Sequence, residues 1–145
     1  MLDGSALRTA AENRALVLEA WQVVDAGQQL DALDRYFAPG YIRHSDGGDY
    51  SLEELAEILG SLREAFPDFA TKTEDMIAEG DRVAYRWVSS GTHLGPYMDM
   101  PPTGKHMVAG GINIARIGED GRIAEEWSSW SKVSFLQALG IIPIS

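Results

Sequence analysis

The spacing of apolar positions changes once along the chain, near Pro67. Before it, apolar residues recur every three or four positions; after it, every second. In residues 6–26, Ala15, Leu18 and Trp21, with Val17 and Val24, mark one face of a helix that Gly27 should end. Asp31 is a good N-cap for a second, shorter helix carrying Leu33, Tyr36 and Phe37, which Pro39-Gly40 should stop. Residues 41–45 read as a short strand and Asp46-Gly47-Gly48-Asp49 as a loop. Ser51 with Glu54 three positions on has the capping-box spacing. Leu52, Leu55, Ala56, Leu59, Leu62 and Phe66 then lie on one helical face, which Pro67 closes.

Beyond Pro67, residues 69–78 and 81–93 read as two long strands with a tight turn at Glu79-Gly80. Residues 94–104, with three prolines, form a loop. Residues 105–117 and 123–131 are two further strands joined through Asp120-Gly121, and residues 133–139 form a closing helix with Gly140 at its C-cap. Helices succeeded by a strand meander predict an α+β fold, a curved antiparallel sheet covered on one face by the N-terminal helices. Such a layer pair leaves a concave apolar space of the kind that takes small molecules.

Length and composition narrow the function. The chain has 145 residues, the size of a single domain spanning 1–145. Twenty-two acidic against 12 basic residues give a net charge of −10, which argues against nucleic acid or an anionic membrane as partner. There is no cysteine, so disulfides and thiolate chemistry are excluded, and a reducing cytoplasm is the expected location. No apolar run is long enough to span a membrane. The N-terminal Met1-Leu2-Asp3-Gly4-Ser5 lacks the pattern of a signal peptide.

Six segments, in order and spread over most of the chain, carry a family resemblance. They are Ala65-Phe66-Pro67-Asp68-Phe69, Asp75-Met76-Ile77-Ala78-Glu79-Gly80-Asp81-Arg82-Val83-Ala84, Gly91-Thr92-His93-Leu94-Gly95, Pro101-Pro102-Thr103-Gly104-Lys105, Gly121-Arg122-Ile123-Ala124-Glu125-Glu126-Trp127 and Leu136-Gln137-Ala138-Leu139-Gly140. Together they resemble the SnoaL-like polyketide cyclases, within the nuclear-transport-factor-2-like superfamily of cone-shaped α+β barrels. The resemblance implies an internal pocket, a homodimer, and neither metal nor organic cofactor. Ring-closing members usually carry an Asp four residues after the Trp of the last strand as general acid/base. Here that position is Ser131, and a hydroxyl cannot supply a carboxylate for proton abstraction.

Alternation and the resemblance together mark out candidate residues. Strict alternation places Ile123, Glu125, Trp127, Ser129 and Ser131 on one face, and Trp130 on the other, towards a dimer interface. Trp127 is then either pocket wall, with Ser129 and Ser131 beside it, or plain core. His44, which the resemblance puts near the pocket mouth, is a candidate proton shuttle or a loop histidine bonded to backbone. Asn113, mid-strand among apolar residues, either holds a substrate carbonyl or pairs across the sheet. Gly110-Gly111 beside it leaves room for a bulge or a ligand. Trp21, Tyr41, Phe66, Tyr85, Trp87, Met98 and Met107 are candidates for the substrate-binding wall, which periodicity equally explains as core. Residues 95–103, with Met98 and Met100, are a mobile lid or a fixed loop. His93 is expected to hold that loop in place, His106 to be exposed, and Asp75 to be structural. The spacings of the three histidines do not suit a metal.

The expectation is a cofactor-independent cyclase acting on an apolar polyketide-type molecule. With the family carboxylate replaced, folding of the substrate for a pericyclic closure of Diels–Alder type fits better than acid/base chemistry; His44 or Asp75 as base, with Asn113 or Ser131 holding the oxygen, is the other mechanism. A non-catalytic apolar-ligand binder and a hydroxylation accessory of a polyketide pathway are the alternatives.

Overall fold

The computed structural model describes residues 8–26 and 30–141. The first helix, α1 (Ala10–Trp21), starts at a capping box: the Thr9 hydroxyl accepts from the Glu12 N–H and Glu12 reaches back to the Thr9 N–H. Its buried face is Asn13, Val17 and Ala20, whereas Ala15 is exposed. The helix then widens into a π-helical turn, Gln22–Ala26. That turn rotates the side chains beyond Trp21, so Val24 is fully buried and Asp25 turns inward. The expected stop at Gly27 and the N-terminal start at Ala6 lie outside the described residues.

The second helix is shorter than expected. A 3₁₀ turn (Leu30–Ala32) leads into α2 (Leu33–Tyr36), and Phe37 already opens strand β1 (Phe37–Ser45). Pro39-Gly40 therefore sits inside β1, at a register shift between Phe37 and Ile42, where Pro39 interrupts no ladder bond. The expected loop after it is a hairpin: β1 pairs antiparallel with β2 (Gly48–Ser51). The next helix, α3 (Leu52–Ala65), forms as predicted, with the Ser51–Glu54 capping box at its start.

Strands β3 (Ala70–Glu79), β4 (Arg82–Thr92), β5 (His106–Ile117) and β6 (Ile123–Trp130) make the antiparallel meander, and α4 (Lys132–Ala138) closes the described chain. Gly80 and Gly121 take the left-handed backbone that their hairpin turns require (φ 57° and 75°). The sheet order is β2-β1-β6-β5-β4-β3. The sheet is curled, not closed, and mixed, because β1 runs parallel to β6. The α+β expectation holds, with that one parallel pair added to an otherwise antiparallel sheet.

Two apolar clusters fill the concave side. One joins α1, α2 and α3 to the sheet through Val17, Val24, Phe37, Leu55, Val83 and Ile123. The other, around Phe66, Met107, Phe135 and Leu139, packs α4 and the end of α3 onto β5. A cavity lies between them.

Candidate functional site

The cavity measures about 140 Å³. Helix α3 gives it one wall through Leu55, Ile58, Leu59, Leu62 and Arg63, spaced to share one helical face. The sheet gives the opposite wall: Tyr85 and Trp87 from β4, Met107 and Asn113 from β5, Ser128 and Trp130 from β6. Trp21, Val24 and Asp25 close it from the end of α1, and Phe135 closes it from α4.

The packing of two tryptophans of this wall depends on one glycine. A Cβ at Gly111 would stand 2.5 Å from Trp87 Cζ2, 2.7 Å from the Ser129 carbonyl oxygen and 2.9 Å from Trp130 Cβ. Gly111 thus makes room for the two tryptophans of the wall, and the β4–β5 pairing runs through it without a bulge.

Behind the sheet wall lies a buried carboxylate. Glu126 has no solvent exposure, and four side chains converge on it. Its Oε1 accepts from the Tyr41 hydroxyl (2.7 Å) and Arg43 Nη2 (3.2 Å). Its Oε2 accepts from the Tyr85 hydroxyl and Asn113 Nδ2 (3.5 Å). The hydroxyls are engaged in turn. Tyr41 accepts from Arg43 Nε (3.1 Å), and Tyr85 accepts from Trp21 Nε1 (2.9 Å) and Asn113 Nδ2 (3.0 Å). Trp87 Nε1 donates to Asn113 Oδ1 (3.0 Å). Burial, reinforced by Glu126, pushes both phenols well above their ordinary value, so they stay protonated donors. For Arg43, burial opposes the charge, but Tyr41, Glu126 and Tyr85 outweigh it and hold the guanidinium protonated.

Six of the side chains expected at the site therefore meet around this cavity. Trp21, Tyr85, Trp87, Met107 and Asn113 line it, and Tyr41 stands behind it in the Glu126 network. Asn113 pairs across the sheet, and its amide hydrogens are taken by Tyr85 and Glu126.

The other expected residues lie elsewhere. Trp127 and Ser129 are on the convex face of β6, because the strand shifts register between the pairs Arg116–Glu125 and Ile117–Ile123. This irregularity leaves Ile123 and Glu126 both inward, so Ser128 and Trp130 face the cavity and Glu125, Trp127 and Ser129 face away. Trp130, expected on the opposite face, is cavity wall and meets Phe135 edge-on (5.7 Å). Trp127 stacks with His44 (5.4 Å) and lies under the Arg82 guanidinium (4.9 Å).

His44 shares that outer face. Its Nδ1 lies 3.0 Å from Asp49 and its Nε2 2.6 Å from Glu125, and these hydrogen bonds, Glu125 first, raise its pKa. Ser131 is the exposed N-cap of α4, accepting from the Ser134 N–H. Phe66 is fully buried in the second core cluster and is not a cavity wall. Met98 is 54% exposed and Asp75 is exposed at a bulge of β3.

The loop after β4 is anchored. The Thr103 N–H donates to Nδ1 of buried His93 (3.2 Å), the Gly104 N–H donates to the His93 carbonyl (2.9 Å), and Tyr97 packs on Phe66 and Phe135.

Three charged cavity residues are absent from the sequence candidates: Arg43, Asp25 and Arg63. Arg43 carries a signal, since alternation in β1 puts it with Tyr41 and sets His44 opposite. Asp25 carries none, because only the π-helical turn aims it inward. Its Oδ2 accepts from the Thr71 N–H (2.8 Å). Burial raises its carboxyl above the usual value, and Thr71 and Arg63 pull it partly back. Among the described residues, no cluster of His, Asp and Glu could hold a metal ion, and no helix is long and apolar enough to cross a membrane.

A curled sheet wrapped round an aromatic cavity and covered by helices defines a pocket protein of the nuclear-transport-factor-2-like class. The model of the SnoaL-like polyketide cyclase family matches residues 15–139, and the chain belongs to that family. Among solved structures it is similar to AclR of Streptomyces galilaeus, put forward as a hydroxylase (27% identity over 94% of this chain and 89% of that one, TM-score 0.84). It is similar also to IdmH of Streptomyces antibioticus, put forward as a polyketide cyclase (28% identity, 88% and 98% covered, TM-score 0.77). A SnoaL-like protein of Jannaschia, at 20% identity and TM-score 0.82 over 99% of this chain, shares the fold. None of the curated proteins matches the chain.

Proposed function

We propose that the protein is a cyclase that closes a ring in a polyketide-type molecule by folding it against the aromatic wall of the cavity, without a protein acid or base at the reacting carbon. One observation carries this reading: two polar groups of the sheet wall, Tyr85 and Asn113, are consumed by Glu126 and by each other, while the remaining surface is mostly aromatic and aliphatic. Such a wall selects a compact conformer of a flexible polyene and removes entropy from the barrier ahead of a pericyclic closure. His44 and Asp75, the candidate bases, and Ser131, a candidate holder of the oxygen, stand outside the cavity, which is consistent with a reaction that does not use them; the carboxylate that does line it, Asp25, is taken as a binding group. The protein is taken to work as a single domain in the cytoplasm and as a homodimer. Exposed Ile77, Val108, Ile112 and Ile114 on the convex sheet face support pairing of two copies.

The test is the turnover of a linear polyene-bearing polyketide intermediate as a function of pH. Under this reading kcat is flat with pH, survives His44→Ala and Ser131→Ala, and falls at least tenfold with Trp87→Ala. A bell-shaped kcat profile, or loss of turnover in His44→Ala, would overturn it. The likeness to AclR supports a second reading, an accessory in substrate hydroxylation. Product formation that requires a reductase partner distinguishes that reading, and binding without turnover in either assay marks a ligand carrier.

A further inference from the structure

The helical end of the cavity differs chemically from the sheet wall. Two ionic side chains, Asp25 and Arg63, line the same space there without forming an ion pair with each other. Each is tethered by one half. The Thr71 N–H holds Asp25 Oδ2, and the Val24 carbonyl accepts from Arg63 Nη2. The other halves are open: among the described residues Asp25 Oδ1 has no hydrogen-bond partner, and Arg63 Nη1 is buried with none. The hydroxyls nearby do not compete, because Thr71 Oγ1 and Ser89 Oγ bond each other at 2.6 Å.

A guanidinium only donates and a carboxylate only accepts. A single group that satisfies both must donate and accept at once. A ketone answers only Arg63, an ammonium only Asp25, and a hydroxyl answers both. We propose that Asp25 and Arg63 together recognise an enolic or phenolic hydroxyl on a conjugated substrate, with its apolar body against Trp21, Phe69 and Trp87. This rests on the cavity being the substrate pocket, and it adds the chemical class of the molecule. Water meets the same requirement, and the substrate hydroxyl would displace it. The tethers fix both side chains before the ligand arrives, so little ordering remains to be done on binding.

The test uses the full chain and three probes of one shape: 1-naphthol, its methyl ether and naphthalene, titrated by calorimetry. The alcohol offers donor and acceptor, the ether only an acceptor, the hydrocarbon neither. In the unaltered protein each step down is expected to weaken binding about tenfold, as for hydrogen bonds to charged groups. Asp25→Asn, which keeps an oxygen for the Thr71 N–H, should close the gap between alcohol and ether. Arg63→Met should close the gap between ether and hydrocarbon. Neither should weaken the binding of naphthalene, which a misfolded cavity would. Equal binding of all three probes, or gaps that persist in both variants, would overturn the proposal while leaving the pocket reading intact. Failure of all three to bind would overturn both.

Discussion

The two polar regions of the cavity are built on opposite rules. Around Glu126, five side chains satisfy one another. Around Asp25 and Arg63, half of each ionic group has no described partner. Closed networks of this kind hold the strands that supply them, since removing any member strands the rest in a dry interior. Open groups contribute little to the fold and are held by neighbours instead of holding them. The difference separates the polar residues that shape the pocket from those that read its contents.

The contrast breaks most decisively at its closed end. Glu126→Ala leaves the Arg43 charge and two tyrosine hydroxyls buried without an acceptor, and is expected to cost about 3–5 kcal/mol, measured by urea denaturation. Gly111→Ala forces Trp87 or Trp130 out of place and should cost about 1–3 kcal/mol while reshaping the cavity. Ser131→Ala removes an exposed helix cap, expected at about 1 kcal/mol, with turnover intact. Arg63→Met exchanges one hydrogen bond for relief of an unpartnered donor, and should change stability by less than about 1 kcal/mol.

The smallest effects lie in pH titrations. The folded pKa of Asp25 lies above its ordinary 3.8, so its stabilising contribution is complete below that value and is lost as pH rises through the folded pKa. Asp25→Asn should therefore gain on the unaltered protein across that window. His44 behaves likewise one step higher. Its bonds to Glu125 and Asp49 stabilise fully below 6.5 and fade as pH rises through the elevated folded value, so His44→Gln should remove that slope from the denaturation midpoint.

Much of this architecture is legible from residue spacing. The capping box at Ser51 and the period of α3 predict the helix and its apolar stripe, three members of which, Leu55, Leu59 and Leu62, turn out to face the cavity. Alternation in β4 and β5 likewise places Tyr85, Trp87 and Asn113. Two of the failures share a cause, a local irregularity that breaks the period. In β6 the register shift near Ala124 turns Trp127 outward and Trp130 inward. After Trp21 the π-helical turn brings Asp25 into the cavity, although the helical pattern around it reads as continuous. Strand β2 is hidden because its start, Gly48-Asp49, has turn composition and little apolar area, and pairs only with its neighbour β1. Glu126 escapes attention because a carboxylate on a strand is usually solvated. Only the convergence of Tyr41, Arg43, Tyr85 and Asn113, from three other strands, makes its burial tolerable.

The register shift in β6 has a consequence for comparing this protein with its relatives. A sequence alignment matches letters, but across a one-residue irregularity equal letters point to opposite sides of the sheet. A relative with an unbroken last strand would direct its aligned Trp and the carboxylate beyond it along a different path from Trp127 and Ser131. Column-by-column transfer of catalytic roles through this strand is sound only between members that carry the same irregularity. Subdividing the family by the backbone at that point would sort its members by which residues reach the substrate more faithfully than overall identity does.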